Sequence, residues 1–212
     1  MLEAIVFDFD GVILESADVK TDAFIDLYAH HGPAVTAKVR EHHLANLGIS
    51  RFKKFAWISE NVLGERLGDD ASAALGRRFS ELALAKVLAA PFVTGAEGAL
   101  TALRVPLFVA SGTPQDELTM IVERRGLTPR FREVHGSPSE KPAVLRGLMQ
   151  RHSWSRDQVL FIGDGYTDYE AAVDAGVEFL ARDTPALHDR WMQLGVRRAP
   201  DLSDLAARVA AW

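Results

Sequence analysis

The sequence predicts an α/β protein, a doubly wound parallel sheet (a Rossmann-like core) with an all-helical domain inserted after its first strand. Three observations carry this reading. Short apolar, β-branched runs alternate with helical periods through residues 91–212, one such run stands alone at the N-terminus, and residues 15–90 show only the helical repeat. The core is therefore expected over residues 1–14 and 91–212, and the helical domain over residues 15–90.

Residues 2–9 are almost continuously apolar and end in an acidic, glycine-containing turn, the pattern of a central strand buried on both faces. Helical spacing follows at Ala23, Phe24, Leu27 and Tyr28, at Phe52, Phe55 and Ala56, and at Phe79, Leu82, Ala83 and Val87. Beyond Pro91, strands are expected at 105–110, 131–134, 159–163 and 177–181. Helices are expected at 115–125, 141–152 and 169–175, with a capped terminal helix opening at Asp201.

Composition excludes several function classes. The net charge of −5 argues against a nucleic-acid partner, whose phosphates ask for a basic surplus. With no cysteine there is no disulfide, no thiol chemistry and no thiolate metal site, so any catalytic metal must be held by oxygen or imidazole. No run of about 18 apolar residues suggests a membrane span, and the opening MLEAIVFDFDG lacks the basic start of a signal peptide. A cytoplasmic protein is expected.

In open parallel sheets the active site forms outside the carboxyl ends of the strands. Those positions hold Asp8-Phe9-Asp10-Gly11, Ser111-Gly112-Thr113, Lys141-Pro142, and Gly163-Asp164-Gly165-Tyr166-Thr167-Asp168. An all-oxygen set of this kind suits magnesium, which shares its shell with waters and a substrate phosphate. Crowded carboxylates raise one another's pKa unless a cation neutralises them, so Mg²⁺ is expected as cofactor, with Lys141 as a second positive charge. An anionic nucleophile could then meet a phosphate dianion.

The ordered set DFDG, strand-end serine, Lys-Pro and GDGYTD resembles the four motifs of the haloacid dehalogenase-like superfamily across most of the chain. The helical insertion after the first motif resembles the cap of the subgroup that contains phosphoglycolate phosphatases and β-phosphoglucomutases. The resemblance implies that Asp8 attacks phosphorus and that Asp10 protonates the leaving oxygen and then activates water. It also implies metal ligation by Asp8, the backbone carbonyl of Asp10, and Asp164, with Asp168 as an additional or indirect ligand. Ser111, the N–H of Gly112, and Lys141 would hold the phosphoryl group. Dehalogenases and phosphonate-cleaving members lack an aspartate two residues after the nucleophile, so Asp10 favours phosphoester chemistry on a small phosphorylated metabolite.

The cap is expected to choose the substrate. At Lys20 the resembled mutase pattern carries a histidine, and that departure favours hydrolysis over a phosphomutase. Arg51, after Gly48-Ile49-Ser50, is expected to read a distal anionic or hydroxyl group. Lys53 and Lys54 read as a solvated basic face, His30-His31 and His42-His43 as surface or core histidines, and Phe55 and Trp57 as core or pocket residues. Hinges are expected near residues 14–16 and 90–94. The rival readings are a phosphomutase, and a phosphoryl-accepting or phosphate-binding protein that keeps the fold without hydrolysis.

Overall fold

All four residues of β1 (Ala4–Phe7) are buried, and because side chains alternate along a strand they feed both faces of the sheet. Ile5 and Phe7 join one apolar cluster, Ala4 and Val6 the other. The chain then runs through four helices, α1 (Ala17–Tyr28), α2 (Pro33–Ala45), α3 (Arg51–Ile58) and α4 (Asp69–Ala89). The computed structural model describes residues 1–212.

The rest alternates helix and strand: α5 (Ala96–Ala102), β2 (Leu107–Pro114), α6 (Gln115–Arg124), β3 (Glu133–Ser137), α7 (Lys141–His152), β4 (Val159–Gly163), α8 (Tyr166–Ala175), β5 (Glu178–Arg182), α9 (His188–Leu194), β6 (Arg198–Ala199) and α10 (Leu205–Ala210). The six strands are parallel in the order β3-β2-β1-β4-β5-β6. The order reverses between β1 and β4, and the crevice at such a switch point is where doubly wound sheets bind ligands. In register, Phe7 lies opposite Val109 of β2 and Ile162 of β4, which brings the residues after β1 and β4 side by side.

Several boundaries differ from the expectation. The third strand is Glu133–Ser137 rather than 131–134, because pairing with β2 starts at Glu133 opposite Phe108, while the apolar Phe131 packs into the core just ahead of it. Helix α8 starts three residues early, where the Asp168 carboxylate accepts the Gly165 N–H at 3.0 Å and so caps the first turn. Asp201 caps a turn instead of opening the last helix, accepting the Ser203 N–H at 2.8 Å. Helices α5 and α9 and the two-residue edge strand β6 were not anticipated; they are short, and short elements carry little periodicity.

The two segments that join the four helices to the sheet lie against each other. Leu14 bridges antiparallel to Phe92, the Glu15 N–H donates to Pro91 O at 2.9 Å, and the Val93 N–H donates to Ile13 O at 3.0 Å. Arg182, at the end of β5, clasps Glu15 through two hydrogen bonds of 3.0 and 2.6 Å. Within the helices, Phe24 packs against Phe55 and Phe79 with ring centroids 5.6 and 4.7 Å apart. These rings extend the apolar cluster of the sheet without a break. No helix is long and apolar enough to cross a membrane.

Phe55 is wholly buried among these rings, so Phe55→Ala is expected to cost about 3–5 kcal/mol through lost transfer energy and a residual cavity. A urea titration should show a lower midpoint; an unchanged midpoint would mean that the helices contribute nothing to the folded core.

Candidate active site

The first residue past β1 is Asp8 and the first past β4 is Asp164, adjacent because the strands are paired. Asp168 on α8 turns back towards them, and one carboxylate oxygen from each of the three lies within 4.8 Å of the others. All three are buried. Gly11 makes room for this group: its φ of +76° favours glycine, and a Cβ there would run into the Asp164 carboxylate.

Positive charge meets the trio from α7. Lys141, the first residue of that helix and itself buried, lies 3.1 Å from Asp8 Oδ1 and 2.5 Å from Asp168 Oδ1. Burial works against its charge, but Asp168 and Asp8 outweigh that and hold the ammonium above its ordinary pKa. The carboxylates are not fully compensated. Burial, with repulsion from neighbouring aspartates, pushes both Asp8 and Asp164 upward in spite of Lys141. A hard divalent cation at the trio would restore their ionised forms, and three carboxylate oxygens with no nitrogen or sulfur suit magnesium.

Asp10 has different surroundings. Lys20 on α1 donates to its Oδ2, Thr113 donates to the same oxygen at 3.0 Å, and Ser16 donates to Oδ1 at 2.6 Å. Burial alone would raise this carboxyl, but the Lys20 ammonium and the two hydroxyls hold it below the usual range. Lys20 also donates to Thr113 Oγ1 at 2.6 Å, so one lysine from the helical insertion ties together residues that follow β1 and lie on β2.

Ser111 is buried on β2, and Gly112 follows it. A Cβ on Gly112 would stand 2.6 Å from Gly48 O and 2.7 Å from Ile49 O, so the loop before α3 rests directly on this glycine. The same loop is held from the other side, where Thr167 Oγ1 donates to Leu47 O. Together these walls enclose a cavity of about 50 Å³ lined by Asp8, Asp10, Asp164, Ser111, Gly112 and Lys20 from the expected set, and by Arg51.

Lys54 departs from its expected place, and Arg51 is paired within the protein. The Arg51 guanidinium donates twice to Glu117 of α6, at 3.0 and 2.5 Å, and once to Ser80 at 2.9 Å. It spans from the insertion to the core while lining the cavity. Lys54, expected on a solvated face, is 3% exposed and lines the cavity beside His43. The buried stripe of α3 is Arg51, Lys54, Phe55 and Ile58, while Phe52, Ala56 and Trp57 point outward. Trp57 stacks on His42 at 3.7 Å and lies away from the cavity. The spacing i, i+3, i+4, i+7 was present in the sequence, but with charged residues at two of its four places. Thr113 was also missed, although it shares a face of β2 with Ser111 by the two-residue repeat. No local signal pointed to Glu117 or to His43.

The fold and the residues around this crevice define a class of protein, and the chain belongs to the haloacid dehalogenase-like hydrolase family, whose description "Hydrolase: haloacid dehalogenase-like hydrolase" matches residues 2–176. It is a hydrolase of the phosphatase kind. Its relatives include a phosphoglycolate phosphatase of Rhodospirillum rubrum, 29% identical over 84% of this chain and 78% of that protein. Another, from Aliivibrio fischeri, is 26% identical over 85% and 83% of the two chains. A β-phosphoglucomutase structure from Clostridium difficile superposes with a TM-score of 0.75 at 16% identity, covering 97% of this chain and 93% of that one, a likeness of fold alone.

Adding one methyl at Gly112 should force the 47–50 loop off β2. Overpacking of this kind costs about 1–3 kcal/mol, so Gly112→Ala is expected to lower kcat/KM roughly ten- to hundredfold on any phosphoester the wild type hydrolyses. Unaltered kinetics would show that the loop contact is idle during turnover.

Proposed function

We propose that the protein is a magnesium-dependent phosphatase that hydrolyses a small phosphorylated metabolite of the phosphoglycolate type through an aspartyl-phosphate on Asp8. The observation that carries this reading is the pairing of two aspartates two residues apart in opposite electrostatic settings. Asp8 sits beside Lys141 in the metal-competent trio, and Asp10 sits under Lys20, Ser16 and Thr113. In this reading one attacks and the other moves protons.

Asp8 Oδ attacks phosphorus as the bond to the ester oxygen breaks, and Asp10 gives that oxygen a proton. Asp10, then ionised, takes a proton from water; the water oxygen attacks phosphorus and the Asp8–phosphorus bond breaks, leaving inorganic phosphate and the original carboxylate. Lys20 favours the ionised form of Asp10 and so weights the site towards this second step. Ser111 and the N–H of Gly112 would bind phosphoryl oxygens, and Lys141 would neutralise charge between them and Asp8. Asp8, Asp164 and the main-chain carbonyl of Asp10, with Asp168 in support, would hold a magnesium ion, which would supply positive charge between the phosphate and the anionic nucleophile.

The four helices over residues 15–90 act in this reading as a cap domain that closes on the sheet through the paired hinges at 14–16 and 90–94. Closure excludes water during transfer to Asp8, and opening admits it. The mutase reading is weaker because Lys20 stands where that pattern has histidine.

Phosphate release from phosphoglycolate is expected with added magnesium, to vanish with a chelator, and to fall at least about a thousandfold in Asp8→Asn. A colorimetric phosphate assay decides the matter. Full activity in Asp8→Asn would overturn the covalent route, and isomerisation without phosphate release would restore the mutase.

A further inference from the structure

Three cations line the cavity, Lys20, Arg51 and Lys54. Lys20 is engaged with Asp10, and Arg51 with Glu117. Lys54 alone has no carboxylate. Its Nζ lies 3.0 Å from Nδ1 of His43 and 5.3 Å from the centre of the Phe24 ring, and it is buried on a cap helix facing the sheet edge.

We propose that Lys54, seated by His43, binds the carboxylate of the substrate, so that the site selects short phosphate esters of hydroxy acids. This deepens the phosphatase reading and rests on it. With phosphate held at Asp8, Ser111 and Gly112, the other end of the substrate is presented to α3, where Lys54 stands. Apolar side chains of Ala17, Phe24, Leu47, Ile49 and Phe79 line part of the same cavity.

The electrostatics agree. Burial, aided by Lys20 and Lys141, pushes the Lys54 ammonium down to about 7, and an anion bound beside it would favour the charged form. Burial and Lys54 push His43 down to about 2, which keeps the imidazole neutral and leaves Nδ1 to accept from Lys54. His43 Nε2 is then a buried N–H without a partner, a second donor on a residue that lines the cavity. A carboxylate entering this space would meet the Lys54 ammonium. Hydrogen bonds to a charged group in such a site are shorter and stronger than neutral ones.

The test compares phosphoglycolate with 2-hydroxyethyl phosphate, an ester of equal reach that ends in a neutral hydroxyl, using wild type and Lys54→Met with magnesium. Wild type is expected to prefer phosphoglycolate, and the ratio of the two kcat/KM values is expected to fall at least about thirtyfold in Lys54→Met, chiefly through KM. The thermal midpoint of Lys54→Met should equal or exceed that of wild type, since an unpaired buried cation has been removed. A ratio unchanged within about threefold, a lower midpoint or failure to fold would make Lys54 a structural residue and overturn the assignment while the phosphatase reading stands. Release of phosphate by wild type from neither ester, nor from p-nitrophenyl phosphate, would overturn both.

Discussion

The ammonium of Lys141 lies 3.1 Å from Asp8 and 2.5 Å from Asp168 in a place where all three groups are shut away from water, and most of the site follows from the need to balance charge there. A buried carboxylate without compensation is costly, and removing one member of such a cluster exposes the rest to that cost. The fold meets the requirement with geometry. Parallel pairing of β1 and β4 sets Asp8 next to Asp164, α7 brings the lysine, and α8 returns Asp168. One positive charge among three negative ones leaves a deficit that suits a metal ion.

Asp10 belongs to a second balance that the sheet cannot complete. Its lysine comes from α1, on the inserted helices, and its hydroxyls come from Ser16, just before that helix, and Thr113 on β2. Assembly of the hydrogen-bonded group around Asp10 is thus coupled to the position of the insertion. The Arg51–Glu117 pair and the seat of Gly48 and Ile49 on Gly112 join the same two parts of the molecule.

The sheet and its acidic motifs were legible because each depends on short stretches of sequence: an apolar run, then the residue that follows it. That locality carried Asp8, Ser111, Lys141 and Asp164 to one edge. On α3 the same kind of reasoning failed for a physical reason. A stripe built from apolar residues assumes that charge points outward, whereas Arg51 and Lys54 point inward beside Phe55 and Ile58. What stabilises Arg51 is Glu117, 66 residues away, and what accompanies Lys54 is His43, on another helix. Partners brought together only by folding leave no period in the chain. The two-residue β6 was invisible for a simpler reason: it is too short to alternate.

The bridge between Leu14 and Phe92 gives the inserted helices a common doorway, with exit and return strands hydrogen-bonded side by side. A segment attached in this way spans no distance on the sheet, so its length and contents are decoupled from the scaffold. The segment can therefore lengthen, shorten or be rebuilt without disturbing the strand ends that hold Asp8 and Asp164.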